Sequence, residues 1–312
     1  VKNYLSLIKF SHTIFAMPFA LIGFMIPAYE KVIIWITAMY RDYLPSYWTV
    51  TNVNDPFPKP IWVTFILIIL CMVLARSAAM AFNRYLDRQF DAKNPRTAIR
   101  EIPAGILKAN SVLWFTIICS VLFMVCCWFI NRICFYLSPV ALFVVLFYSY
   151  TKRFTPLCHL VLGLGLSLAP IGAYLAVTGE FHLLPILFSL AVVFWVSGFD
   201  IIYSLQDEEF DRSQRLFSMP VSLGKKKALR VSEILHVLSL LCIVAAGIYG
   251  HFLWFYWMGV AVFGGMLLYQ HSIVKPNDLR RVNLAFMTAN GIASVVFAVF
   301  VIADIILRPI FD

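Results

Sequence analysis

Residues 61–82 run for twenty-two positions with a single ionic side chain, Arg76, and this is one of nine such apolar stretches in a chain of 312 residues. The others cover 13–29, with an extension toward 39, then 112–130, 133–151, 157–177, 183–199, 231–249, 252–269 and 282–307. A helix crossing the hydrocarbon core of a bilayer needs about 20 predominantly apolar residues, and these runs have about that length. No water is available there to satisfy backbone N–H and C=O groups, so only helices and closed barrels can span. Barrel strands alternate apolar and polar positions over about ten residues; these runs are continuously apolar. The expected fold is therefore all-α: about nine transmembrane helices in one bundle, with residues 1–312 forming a single membrane-embedded domain. A composition of 62% hydrophobic and 13% charged residues excludes an ordinary soluble globular protein.

The positive charges fall mostly on one side. Nineteen of the 25 Lys and Arg lie at the N-terminus or in the connections after the second, fourth, sixth and eighth apolar segments, against five on the other side. By the positive-inside rule this side is cytoplasmic. The net charge of +9 then reflects topology and lipid headgroups rather than nucleic acid. All seven cysteines lie in apolar segments without C-x-x-C spacing and read as small core hydrophobes. The six His show no metal-ligand spacing; His12, three residues after Lys9 at the cytoplasmic start of the first span, is a candidate substrate contact.

Against this apolar background the stretch NRYLDRQFDAKNPRT at 83–97 is anomalous. No helix breaker separates it from the apolar run before it until Pro95, so Asn83, Asp87 and Asp91 recur every four residues on one helical face. Arg76, two turns earlier, extends that face into the membrane. A second set, Asp200, Tyr203, Asp207 and Asp211, closes the sixth segment and is expected to share one face of a continuing helix. Both sets end even-numbered spans and so open toward the same side. Converging carboxylates at a low-dielectric boundary repel unless cations neutralise them. Oxygen donors without Cys or His suit a hard ion, and Mg²⁺, which favours a few carboxylates plus phosphate oxygens, fits best. Lys93, Arg96, Arg100, Lys152, Arg153, Arg212 and Arg215 stand on the same side, so a diphosphate held by Mg²⁺ with basic support is the expected ligand. The competing reading of a plain interfacial helix end pairs Asp211 with Arg215.

N-x-x-x-D-x-x-x-D at 83–91 and D-x-x-x-D at 207–211, four segments apart, resemble the two signature motifs of the UbiA superfamily of intramembrane aromatic prenyltransferases. The stretches at 6–24, 76–105, YSYTKRFT at 148–155 and 200–224 resemble its 4-hydroxybenzoate polyprenyltransferase branch and the menaquinone-pathway relatives. One position departs: Arg84 follows the motif Asn where many members carry Asp, which leaves the metal spacing intact. The resemblance implies that Asn83, Asp87, Asp91, Asp207 and Asp211 hold two Mg²⁺ on a polyprenyl diphosphate, with Tyr148 and Lys152 beside the diphosphate and the allylic carbon. It implies an integral protein of the bacterial inner membrane, with its site facing the cytoplasm and its prenyl chain lying in the bilayer. Arg76, Tyr203, Asp200, Arg153 and Arg96 join His12 as candidate substrate contacts, and Arg76 suits the carboxylate of an aromatic acid acceptor. Two acceptors stay open, a 4-hydroxybenzoate-like ring and a naphthoate. A membrane transporter is the alternative from another class, although its polar groups would sit at broken helices near the midplane rather than at helix ends. A CDP-alcohol phosphotransferase would show a D-G-x-x-A-R opening, which is absent.

Overall fold

The computed structural model describes residues 2–7, 15–40 and 59–311; His12 lies outside them. The described chain is helical without a strand: α1 (Lys2–Leu7), α2 (Met17–Tyr40), α3 (Ile61–Lys93), α4 (Ala109–Ile130), α5 (Arg132–Thr151), α6 (Cys158–Thr178), α7 (Leu183–Ser204), α8 (Glu208–Ser213), α9 (Met219–Leu223), α10 (Lys225–Tyr249), α11 (Trp254–Ile273) and α12 (Asn290–Phe311). Among the described residues, each of the nine apolar runs carries a helix. Seven of these elements are long and apolar enough to cross a membrane, while Met17–Tyr29 is a shorter apolar helix. Helix α11 falls below the hydropathy of a span because Trp, Tyr, Gly, Gln and His dilute its apolar residues.

Polar caps tie the ends together. Asn131, between α4 and α5, accepts from Cys134 N at 2.8 Å and donates to Leu175 O at 2.8 Å, so one amide caps α5 and fastens the hairpin to α6. Asp304 on α12 is 1% exposed and accepts from the backbone N–H groups of Leu253 and Tyr256 at 2.9 and 3.0 Å, capping α11 from a neighbouring helix. Where 282–307 reads as one helix in sequence, the first turns at Leu284–Ala289 are wound as a π-helix. Asn290 explains how this is tolerated. Its amide donates to Ala285 O and Phe286 O, while its carbonyl accepts from Trp195 Nε1 at 2.9 Å and Gln270 Nε2 at 2.7 Å.

The core lies between α2, α7, α11 and α12, where Phe19, Phe188, Trp195, Phe263 and Phe297 are fully buried. Small residues set the close helix crossings, as is common between helices in membranes. A Cβ at Gly23 of α2 would stand 2.1 Å from Pro170 O of α6. Gly23→Ala should therefore force the two helices apart and cost about 1–3 kcal/mol, the usual range for overpacking. A clear fall in the thermal midpoint of the detergent-solubilised protein is the expected result; an unchanged midpoint would show that the crossing yields freely.

Candidate active site

The C-terminal ends of α3, α5 and α7 and the start of α6 surround a polar cavity of about 290 Å³. Asn83, Asp87, Asp91, Arg96, Tyr148, Lys152, Arg153, Asp200, Tyr203, Asp207, Asp211 and Arg76 all line it. Two distant segments of sequence thus form one wall system, and ion pairs show how. Arg153, at the end of α5, reaches Asp87 on α3 at 3.3 Å. Lys152 meets Asp211 at 2.8 Å, Arg100 meets Asp91 at 2.6 Å, and Arg96 bridges to Asp207 while donating to Tyr203 Oη at 3.0 Å. Each motif carboxylate has one basic partner, three of them from a different part of the chain. Within α3, Asn83 donates to Asp87 Oδ2 at 2.9 Å, as a four-residue spacing allows. Burial would discharge Lys152, but Asp211 beside it and Asp207 behind it outweigh that and hold its ammonium above the ordinary lysine range.

One sequence expectation needs correction, and one competing reading is not supported. The second aspartate set does not ride one continuous helix: α7 ends at Ser204, a 3-10 turn takes Leu205–Asp207, and α8 begins at Glu208. The tighter turn shifts the angular phase between Asp200 and Asp211, yet both still face the cavity. Asp211 pairs with Lys152 rather than with Arg215, whose backbone is left-handed at φ 54° and which is exposed.

Behind the polar cavity lies an apolar one of about 390 Å³, lined by α3, α5 and α6 through Ile68, Ala75, Val144, Gly165, Ala169 and Gly172. Arg76, Met80, Tyr148, Leu162 and Leu166 line both. Its wall includes Leu137 and Val140, both of which are exposed. Arg76 stands at the junction. It makes no hydrogen bond or ion pair among the described residues, and its Nε is buried without a partner.

Sequence reasoning passed over several residues of this cavity. His159 on α6 is 2% exposed and holds Asp200 Oδ2 at 2.6 Å. Its signal was a lone ionisable side chain inside an apolar helix, which is costly and usually has a purpose. Asn94 reaches Asp207 Oδ1 at 3.5 Å, and Arg84, the departure from the motif, is buried in the cavity wall.

The donor set is suited to a hard divalent cation. Asp91 Oδ2 is buried with no hydrogen-bond partner, an acceptor with capacity to spare. Among the described residues no three Asp, Glu, His or Cys side chains stand close enough together to hold a metal ion between them.

The bundle joins a carboxylate-rich cavity to an apolar chamber among helices long and apolar enough to cross a membrane, which defines the chain as an integral membrane protein with an enclosed site. Residues 44–292 match the model of the UbiA prenyltransferase family. The chain belongs to that family and is a prenyltransferase. It is 27% identical over 286 residues to a 4-hydroxybenzoate octaprenyltransferase of Francisella tularensis, covering 86% of this chain and 99% of the relative. In structure it resembles a UbiA homologue from Aeropyrum pernix K1 in its apo form, at a TM-score of 0.74 and 26% identity over 96% of this chain and 98% of the other. A UbiA homologue from Archaeoglobus fulgidus bound to DMAPP and Mg²⁺ shares the fold at a TM-score of 0.66 and 18% identity, covering 98% of this chain and 99% of that one.

Proposed function

We propose that this protein transfers a polyprenyl group from a polyprenyl diphosphate to an aromatic acid of the 4-hydroxybenzoate type, with Mg²⁺, in respiratory quinone biosynthesis. The observation that carries this is the junction at Arg76, where the carboxylate-lined cavity meets an apolar chamber of about 390 Å³. The name of the Francisella relative and the Mg²⁺ and DMAPP of the Archaeoglobus structure support it. The whole chain, 1–312, acts as one domain in the bacterial inner membrane with the site toward the cytoplasm, in line with the excess of Lys and Arg on that side.

In this reading Asn83, Asp87, Asp91, Asp207 and Asp211 hold the metal. Bound Mg²⁺ supplies Lewis acidity that draws charge from the departing diphosphate. Arg96, Lys152 and Arg153, each bonded to a motif carboxylate, keep those carboxylates apart before substrate arrives and offer charge to the diphosphate oxygens afterwards. The allylic cation that forms needs π-rich, dry surroundings, and Tyr148, Tyr203, Phe15, Phe199 and Phe286 line the same cavity. Tyr203 packs on Phe286 with ring centroids 4.3 Å apart, under the Arg96 guanidinium at 5.1 Å. Asp200 contacts the acceptor from α7, and Arg76 binds its carboxylate. His12 keeps its place as a proposed substrate contact on sequence grounds.

The test is purified protein with Mg²⁺, one long-chain prenyl diphosphate and a panel of aromatic acids including naphthoates, with products identified by mass. A prenylated benzoate and one equivalent of diphosphate are expected. A naphthoate as the sole product would move the acceptor to the menaquinone type, and no diphosphate release with any acid would overturn the reading. Lys152→Ala should raise KM for the prenyl diphosphate, while Tyr148→Phe leaves it near wild type, because only the ammonium carries net charge. An unchanged KM in Lys152→Ala would remove the end of α5 from the diphosphate subsite.

A further inference from the structure

Prenylation of a ring replaces one aromatic hydrogen, so each turnover on the function proposed above must shed one proton near the new bond. Five carboxylates line the polar cavity, and four of them, Asp87, Asp91, Asp207 and Asp211, are bonded to Arg or Lys and belong to the metal motifs. A carboxylate neutralised by a guanidinium, an ammonium or a divalent ion is a poor base. Asp200 is the exception. Its partner is His159, 2.6 Å from Oδ2, and Oδ1 has no hydrogen bond among the described residues.

The state of that imidazole can be read from its other nitrogen. His159 Nε2 accepts the backbone N–H of Met219 at 3.3 Å, so its lone pair lies there and the ring proton sits on Nδ1, directed at Asp200. Through Nδ1 the imidazole orients Asp200 by Oδ2 and leaves Oδ1 without a hydrogen bond among the described residues. Its backbone is pinned in turn, because Ser197 Oγ donates to His159 O at 3.1 Å. With Nε2 engaged, His159 has no route to relay a proton onward.

We propose that Asp200 is the base that takes the ring proton and that His159 is its positioning residue. The allylic C–O bond breaks with its electron pair leaving on the diphosphate, and a ring π pair forms the new C–C bond. Oδ1 of Asp200 then removes the hydrogen from the substituted carbon, the C–H pair returns to the ring, and the proton passes to water as the product leaves. His159 keeps its own proton throughout.

Turnover with 4-hydroxybenzoate should be compared with turnover of the same acid deuterated at the two ring carbons beside the hydroxyl. Wild type should show an isotope effect near unity. Asp200→Asn should lose on the order of 10² in turnover, the low end for a general base, show an isotope effect above about 2, and divert the cation to water so that free prenyl alcohol accumulates. His159→Asn, which returns an N–H close to the place of Nδ1, should keep most of the activity, whereas His159→Leu should show reduced turnover and a raised isotope effect. Should Asp200→Asn fail to fold, this histidine pair carries the same comparison. A folded Asp200→Asn with an isotope effect near unity and no prenyl alcohol overturns the assignment of the base. So does a His159→Asn no better than His159→Leu. A wild type that prenylates no aromatic acid at all would instead overturn the proposed function, and this step with it.

Discussion

Asp87→Asn and Asp207→Asn should each abolish Mg²⁺-dependent turnover while leaving a folded, monodisperse protein. Each removes one charged donor from a site where charge on the departing diphosphate is stabilised. Losses of this kind are typically worth about 2.7–4 kcal/mol, on the order of 10²–10³ in rate. The structure explains why the fold should survive. Asp87 holds Asn83 at 2.9 Å and Arg153 at 3.3 Å, and an asparagine keeps an oxygen that can accept from either. At Asp207 the amide keeps the shape, and Arg96 retains its bond to Tyr203 at 3.0 Å. The check is steady-state turnover across a Mg²⁺ titration, with thermal unfolding in detergent alongside. Near-wild-type turnover in either variant would remove the two-motif metal assignment, and loss of fold would mark the carboxylates as structural.

The second large effect is expected at Arg76. A guanidinium forks onto a carboxylate with two parallel hydrogen bonds, which a lysine cannot reproduce. Arg76→Lys should therefore raise KM for the aromatic acid much more than for the prenyl diphosphate, and wild type should use the acid far better than its uncharged amide. Stability offers an independent readout. Arg76 has no protein partner among the described residues and a buried Nε, so Arg76→Met should cost no stability and should raise the thermal midpoint while acceptor binding is lost. Equal loss for both substrates in Arg76→Lys, together with a destabilised Arg76→Met, would make Arg76 a structural arginine and remove the main argument for a carboxylated acceptor.

The cavity also shows how a chain so poor in charge assembles a polar site. Its ionic groups are concentrated at the ends of a few helices, where bases from the end of α5 and from the segment after α3 meet acids from α3, from the turn after α7 and from α8. Burial of an unpaired charge is expensive. The pairs therefore keep the acids tolerable near the apolar chamber and leave basic side chains poised where an anionic ligand can compete for them.

Much of this was legible in the residues alone, for a physical reason. Burial in lipid demands helices, so continuous apolar runs locate spans directly, and a period of 3.6 places Asn83, Asp87 and Asp91 on one face with Arg76 below them. All of these signals are local, carried within about twenty residues. What the tertiary structure decided lies between segments: that Lys152 serves Asp211 while Arg153 serves Asp87, and that His159 meets Asp200 across 41 positions. The break after Ser204 belongs here too, because the bonds of Asp207 to Arg96 and Asn94 hold it where an uninterrupted helix would have carried it elsewhere. Partner choice across helices depends on their crossing and close approach, set by contacts such as Gly23 on Pro170, and no pattern along a single helix encodes which distant side chain that approach delivers.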